Sequence, residues 1–492
     1  MKKTIIISVL AASIVGCSSF EANLESENRL DDSARLHTLY IDRNGNLLDP
    51  VSGNLVVDSK NHIIVHREEQ RYSSRILENF KDMQKKNPSL RLTLFVHGGL
   101  NEFKTATRRS KELTADMLLD GQYPVFICWD SGPFTNYFDH LFRIRKGLNR
   151  PVAGALSSPI VLVEDAARSL ARFPAAAYKQ VADPLTVAKS INTVDEYNYQ
   201  IRSRALADLG FSVHSEAPFV GVRNSYWTVF NPVKFITGPF VDGLGSGSWN
   251  SMLRRADLVL TKKQAYEGQL PESKSAKTEP AEEQPRYADT AATKFLRSWT
   301  AESALSDVKV DLIGHSMGTI VSADILVRHP ELNVKNLVFM GAAAKVKDIE
   351  NIVVPWMQRP AQADAVFFNL SLDPYREISE NTFYDFLPRG SLLNWIDFTF
   401  GSVNSYKDRT AGSWWNIVRT AEDIFPGSSS QKQLRRRVHL TRFGIGGAEE
   451  GPQKHGDFGD YCFWRQDFWL NKKPQVKFPL CANQPMQSKA NQ

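Results

Sequence analysis

Residues 314–318 read Gly-His-Ser-Met-Gly, and a serine held in that frame can attack a carbonyl carbon once a base removes its proton. Val308 to Ile313 is a short, largely apolar run that suits a buried strand, and Thr319 to Val327 then turns helical. Strand, sharp turn and helix together lift a serine Oγ above a sheet edge. The flanking glycines are needed because a side chain at either position would crowd the helix against the strand.

Such a serine needs three further things: a base, a group that orients the base, and donors for the developing oxyanion. Donors are expected from His97-Gly98-Gly99, which ends the strand-like run Leu92 to Val96, and from the backbone N–H of Met317. Gly99 supplies the first N–H, while His97 is expected to brace the loop. The acid should stand just past a later strand. Asp373 follows Phe367 to Leu372 directly, with Glu377 and Asp348 as alternatives. The base must follow the acid, where only His439 and His455 lie. His439 sits in an alternating strand, Val438 to Thr441, whereas His455 lies in a polar, Gly-flanked segment, so His455 is the expected base. No histidine or cysteine spacing suits a metal, and no Gly-rich phosphate or dinucleotide motif follows a strand. No cofactor is called for.

These residues must be carried by a sheet. Strand-like runs alternate with helix-like ones in two blocks, as in an α/β domain with a mostly parallel sheet. Leu36 to Ile41, Ile63 to His66, Leu92 to Val96 and Val125 to Trp129 are candidate strands of the first block. Helices are expected around Ile76, Leu77, Phe80 and Met83, and through Ala106, Leu113 and Met117 to Gly121. In the second block Leu337 to Met340, Val366 to Leu372 and Val438 to Phe443 follow the serine strand. Residues 131–288 interrupt the blocks and read as an inserted cap or lid region. Within them Trp249, Met252, Leu253, Ala256 and Leu260 trace an amphipathic helix, Gly243 to Gly247 reads as a flexible turn, and Leu270 to Pro285 as a surface loop.

In this order, His97-Gly98-Gly99, Gly314 to Gly318, Asp373 and His455 resemble the α/β-hydrolase superfamily, over residues 36–130 and 289–470. The resemblance implies a mostly parallel sheet of about eight strands with helices on both faces. It also implies a Ser–His–Asp triad: Ser316 attacks, His455 shuttles the proton, and Asp373 holds the imidazole tautomer. Phe95 to Asn101 together with Phe126 to Gly132 also resembles poorly characterised bacterial hydrolases, which implies no substrate.

The N-terminus carries an address. Met1-Lys2-Lys3 precedes an apolar run, Thr4 to Val15, too short to span a membrane as a mature helix, and Gly16-Cys17 follows. This resembles a bacterial lipoprotein signal over residues 1–17, implying that Cys17 carries acyl chains such as palmitate. Ser18 after it implies outer-membrane sorting in the cell envelope, and 18–35 would serve as a tether. An exported compartment permits disulfides. Cys462 and Cys481 are the pair close in sequence, while Cys128 reads as a buried free thiol. Residues 471–492 read as a C-terminal tail.

Composition is that of a globular chain of 492 residues, 42% hydrophobic and 23% charged. The formal charge of +6, two units of which leave with Lys2 and Lys3, is too weak and scattered to argue for nucleic acid. The protein is therefore expected to be a membrane-anchored serine hydrolase that cleaves carboxylic esters, with lipid or acyl esters as substrates. An acyltransferase using the same triad and a non-catalytic envelope binding protein are the alternatives.

Overall fold

In the computed structural model the strand-like runs assemble into one nine-stranded sheet. The structure describes residues 32–59, 61–99, 101–190, 194–215, 232–264, 286–380, 386–401, 403–427, 432–445, 451–472 and 475–483. The expected leader, Cys17 and the Leu270 to Pro285 loop lie outside the described residues.

In chain order the strands are β1 (Thr38–Ile41), β2 (Leu47–Leu48), β3 (Arg91–Val96), β4 (Gln122–Trp129), β5 (Ile144–Arg145), β6 (Leu148–Asn149), β7 (Ser212–His214), β8 (Thr261–Gln264), β9 (Arg286–Asp289), β10 (Val310–His315), β11 (Val334–Met340), β12 (Val366–Leu372) and β13 (Val438–Phe443). The main sheet runs β2-β1-β4-β3-β10-β11-β12-β13-β7, and every neighbouring pair is parallel except β1 with β2. β5 with β6, and β8 with β9, form separate antiparallel hairpins.

Both faces of this sheet are apolar, as a parallel sheet covered on two sides requires. On one face Leu92, Leu94 and Val96 of β3 join Val125 and Ile127 of β4 and Val310 and Leu312 of β10. They pack under α1 (His62–Lys86), through Ile76 and Phe80. On the other face Phe95, Phe126, Cys128 and Ile313 meet α2 (Phe103–Leu119), through Ala106, Leu113 and Met117. Burial in this second core pushes the Cys128 thiol pKa far up.

Four expectations change. Ile63 to His66 is not a strand but the first turn of α1. Asn61 caps that turn, its side chain accepting from the N–H groups of Ile63 and Ile64, which starts a helix where apolar residues alone suggest an extended run. The 471–492 segment is not wholly a tail. Cys481 is disulfide-bonded to Cys462, Lys477 bridges Tyr461, and the Arg465 guanidinium donates to the Cys481 carbonyl at 2.7 Å.

The 131–288 segment is not wholly a cap. It contributes β7 to the sheet edge, where His214 stacks on His439 of β13. Its helices are α3 (Pro133–Phe142), α4 (Pro151–Ser190), α5 (Val194–Asp208) and α6 (Pro232–Leu260), and α7 (Ala291–Ala301) follows it. Trp249, Met252, Ala256 and Leu260 of α6 enter the first core. Gly243, Gly245 and Gly247 form no turn; they lie inside α6. A Cβ at these positions would collide with Ser169 of α4, with Phe400 and with His140 of α3 respectively. Close packing against three neighbours outweighs the roughly 1 kcal/mol that each glycine costs a helix. Among the described residues no helix is long and apolar enough to cross a membrane.

Candidate active site

The chain runs from β3 outward to β4 on one side, and from β10 outward to β13 on the other. The switch point between β3 and β10 therefore opens a crevice at their carboxyl ends, where open α/β sheets bind ligands. His97-Gly98-Gly99 leaves β3 there, and Ser316 leaves β10.

Ser316 sits in left-handed backbone, φ +51°, between β10 and α8 (Gly318–Arg328). That conformation costs a non-glycine residue about 1 kcal/mol or more and is held by its surroundings. The Ser316 carbonyl accepts from Thr319 N at 3.1 Å, Thr319 Oγ1 at 2.6 Å and Ala343 N at 3.1 Å, while its own N–H donates to Met340 O at 2.8 Å. A Cβ at Gly314 would stand 2.7 Å from Ser322 Oγ, and one at Gly318 would strike the Val96 carbonyl. Both glycines are thus steric requirements of the tight strand–helix packing.

His455 opens a short 3₁₀ turn, His455–Asp460, capped by Asp457 accepting from Gln453 N and Lys454 N. The turn brings His455 Nε2 to 2.9 Å from Ser316 Oγ. Both side chains are buried, Ser316 at 2% exposure. Gly341, at φ +51°, leaves room beneath the ring, since a Cβ there would stand 2.8 Å from His455 Cε1. Burial alone would lower the His455 pKa. The Glu377 carboxylate beside the ring, with the charge of Glu380, outweighs it and holds the imidazole above its ordinary value.

The carboxylate beside His455 is Glu377, not Asp373. Glu377 Oε1 stands 3.9 Å from His455 Nδ1, and among the described residues neither atom hydrogen-bonds elsewhere. A shift of about 1 Å would close the bond; catalytic hydrogen bonds are commonly long before substrate binds. Ser391 Oγ donates to Glu377 Oε2 and fixes the carboxylate from behind. Asp373 has a different task. Its Oδ1 caps α9 (Pro374–Ser379) by accepting from Tyr375 N at 3.0 Å, and its Oδ2 pairs with Arg442 at 3.2 Å, both side chains fully buried. Asp373 thereby sets the helix on which Glu377 sits one turn later. Asp348, the other alternative, caps Lys345 N in its own loop.

The donor loop approaches as glycine allows: a Cβ at Gly98 would stand 2.8 Å from Ser316 Cβ, and one at Gly99 would stand 2.8 Å from Met317 Sδ. The Gly98 carbonyl accepts from His97 Nδ1 at 2.6 Å and Asn101 Nδ2 at 3.0 Å. A trans peptide directs its N–H opposite to its carbonyl, so the Gly99 N–H turns away from those two donors. By the same geometry the Met317 N–H turns away from the pinned Ser316 carbonyl. Among the described residues no backbone carbonyl accepts from either N–H.

His97 braces this loop. Its Nε2 accepts from Trp129 N at 2.9 Å, its ring stacks on Trp129 at 4.3 Å, and burial pushes its pKa down to about 4. His315 is also neutral, pushed down to about 3 by burial and then by His455, and its Nε2–H donates to the His455 carbonyl at 3.0 Å. His439 faces His214 at 3.2 Å and stacks on Phe368, within the sheet and not beside Ser316. Sequence reasoning missed Glu380, whose Oε2 accepts from His455 N at 2.8 Å, and the supports Asn101, Ser131 and Thr319. Nothing in their spacing marks them. Among the described residues no cluster of three or more His, Cys, Asp or Glu is placed to hold a metal.

Residues 272–374, which include the elbow and β11 and β12, match the family described as alpha/beta hydrolase fold. No curated protein and no solved structure gives a significant match. The family match and the helix-covered, mostly parallel sheet with its serine turn agree: the protein has an α/β-hydrolase fold.

Proposed function

We propose that the protein is a serine hydrolase of carboxylic esters, acting on lipid or acyl esters through Ser316, His455 and Glu377. The observation that carries this reading is the 2.9 Å contact between Ser316 Oγ and His455 Nε2 on a strained elbow. Ser316 Oγ attacks the ester carbonyl as His455 Nε2 takes its proton. Glu377 holds the Nδ1–H tautomer and stabilises the imidazolium. The Gly99 and Met317 N–H groups receive the oxyanion, a contribution of about 3–4 kcal/mol per donor in comparable sites. Collapse transfers the His455 proton to the leaving alcohol, and water then releases the acid by the same route. Ser316 is 2% exposed, and Met252 of α6 packs at the Gly99 donor loop beside it.

A p-nitrophenyl ester series of rising chain length reads both activity and pocket depth. Turnover is expected for the protein and a loss of about 10⁴-fold or more in Ser316→Ala. Equal turnover by Ser316→Ala would exclude the serine mechanism. The N-terminal signal-like residues support an outer-membrane lipid anchor at Cys17; palmitate incorporation should be lost in Cys17→Ser, and its persistence there would remove that assignment.

A further inference from the structure

Helix α4 is built inside out. The residues it turns toward the protein include Asp165, Ser169 and Gln180, all buried. Asp165 Oδ2 accepts from Tyr137 OH at 3.0 Å and lies 3.2 Å from His140 Nε2, and Ser169 Oγ donates to the Asp165 carbonyl at 2.9 Å, so this inner face is polar. Val152, Leu156, Ile160, Val163 and Leu170 point outward, between 64% and 79% exposed. At 3.6 residues per turn these positions fall in one stripe covering about a quarter of the helix circumference, opposite the buried residues. A helix facing water has the reverse arrangement. Phe134 and Phe138 of α3, which packs beside α4, are exposed as well.

The charges around the stripe indicate what covers it. Lys146 and Arg150, in and just after the β5–β6 hairpin at the head of α4, are exposed, and among the described residues neither meets a carboxylate within ion-pair reach. An apolar stripe headed by free cations suits the boundary between phosphate headgroups and acyl chains. A water-soluble partner surface would need its own apolar stripe. The chain between Cys17 and Asp32 could reach at most ~50 Å, comparable with the ~60 Å length of α4. The stripe requires no anchor at Cys17.

We propose that the outward stripe of α4, with Phe134 and Phe138, lies in the interface of an anionic phospholipid bilayer, parallel to its plane. Helix α4 packs against α9, which carries Glu377. The inference stands on the stripe and its cations and is independent of the hydrolase reading.

The test uses the full chain with Cys17→Ser and Ser316→Ala, so that neither acylation nor turnover intervenes. A nitrobenzoxadiazole label is attached to Leu156→Cys or Val163→Cys, or to Leu119→Cys on α2 as an exposed control. The buried Cys128 and the bonded Cys462 and Cys481 leave the label a single site. With vesicles of phosphatidylethanolamine and phosphatidylglycerol, emission at 156 and 163 should shift to the blue and be quenched by lipids brominated on their acyl chains, and that at 119 should not. Leu156→Ser with Val163→Ser should weaken vesicle binding at least about tenfold. Lys146→Glu with Arg150→Glu should weaken it on anionic vesicles only. Three results would overturn the proposal: no vesicle binding, binding without a shift at 156 and 163, or a shift that grows with protein concentration and needs no vesicles, which would identify a second copy as the occupant.

Discussion

Glu377→Gln is expected to lower kcat/KM for an ester substrate by about 10³–10⁴-fold while leaving the denaturation midpoint close to that of the parent protein. The amide keeps the volume and one hydrogen-bonding oxygen, so Ser391 retains a partner. It removes the charge that favours imidazolium and can hold the wrong imidazole tautomer. The pH profile should change with it. His455 must be neutral to act as a base, and Glu377 holds its pKa above the ordinary 6.5. The acid limb of kcat/KM should therefore fall off at a pH above 6.5 in the parent and move to lower pH in Glu377→Gln. A full-rate Glu377→Gln with an unchanged limb would remove Glu377 from the mechanism.

Asp373→Asn should show the opposite pattern, a large loss of stability with a small loss of rate. Asparagine still caps α9 well, so Tyr375 N keeps an acceptor. The Arg442 guanidinium, with no exposed surface, loses the carboxylate it pairs with at 3.2 Å. Breaking a buried pair on one side costs about 3–5 kcal/mol, read as a lower denaturant midpoint. Arg442→Met added to Asp373→Asn should recover much of that loss, because the uncompensated charge is then gone. The rate of the folded fraction should fall less than about tenfold, against about 10⁴-fold if Asp373 oriented His455. A loss of that larger size at intact stability would return the acid to Asp373.

The difference between these two carboxylates shows where the sequence stops being legible. Both follow β12, four residues apart, and an acid after that strand is all that local pattern can report. The choice is made by Arg442, which enters through the register of β13 on β12, with Ser371 opposite Arg442. Long-range pairing of that kind leaves no local trace. The turn from β10 to α8 was legible because its constraints are local: two glycines, a strand before and a helix after. The strands β3, β4, β12 and β13 were legible because apolar runs bounded by turn residues have few other uses. Gly243 to Gly247 misled because glycine breaks a helix by intrinsic preference, whereas here Ser169, Phe400 and His140 close against the bare backbone. The three-residue β7 carries too little pattern to separate from a loop, and it borrows its stability from β13.

The most direct measurement of the central claim is labelling by a fluorophosphonate probe, followed by mass mapping of the modified peptide. Only a hydroxyl activated by a neighbouring base reacts readily with such a probe. Modification is expected at Ser316, absent in Ser316→Ala and strongly slowed in His455→Ala. A folded parent protein that takes no label, or takes it at another residue, would contradict it.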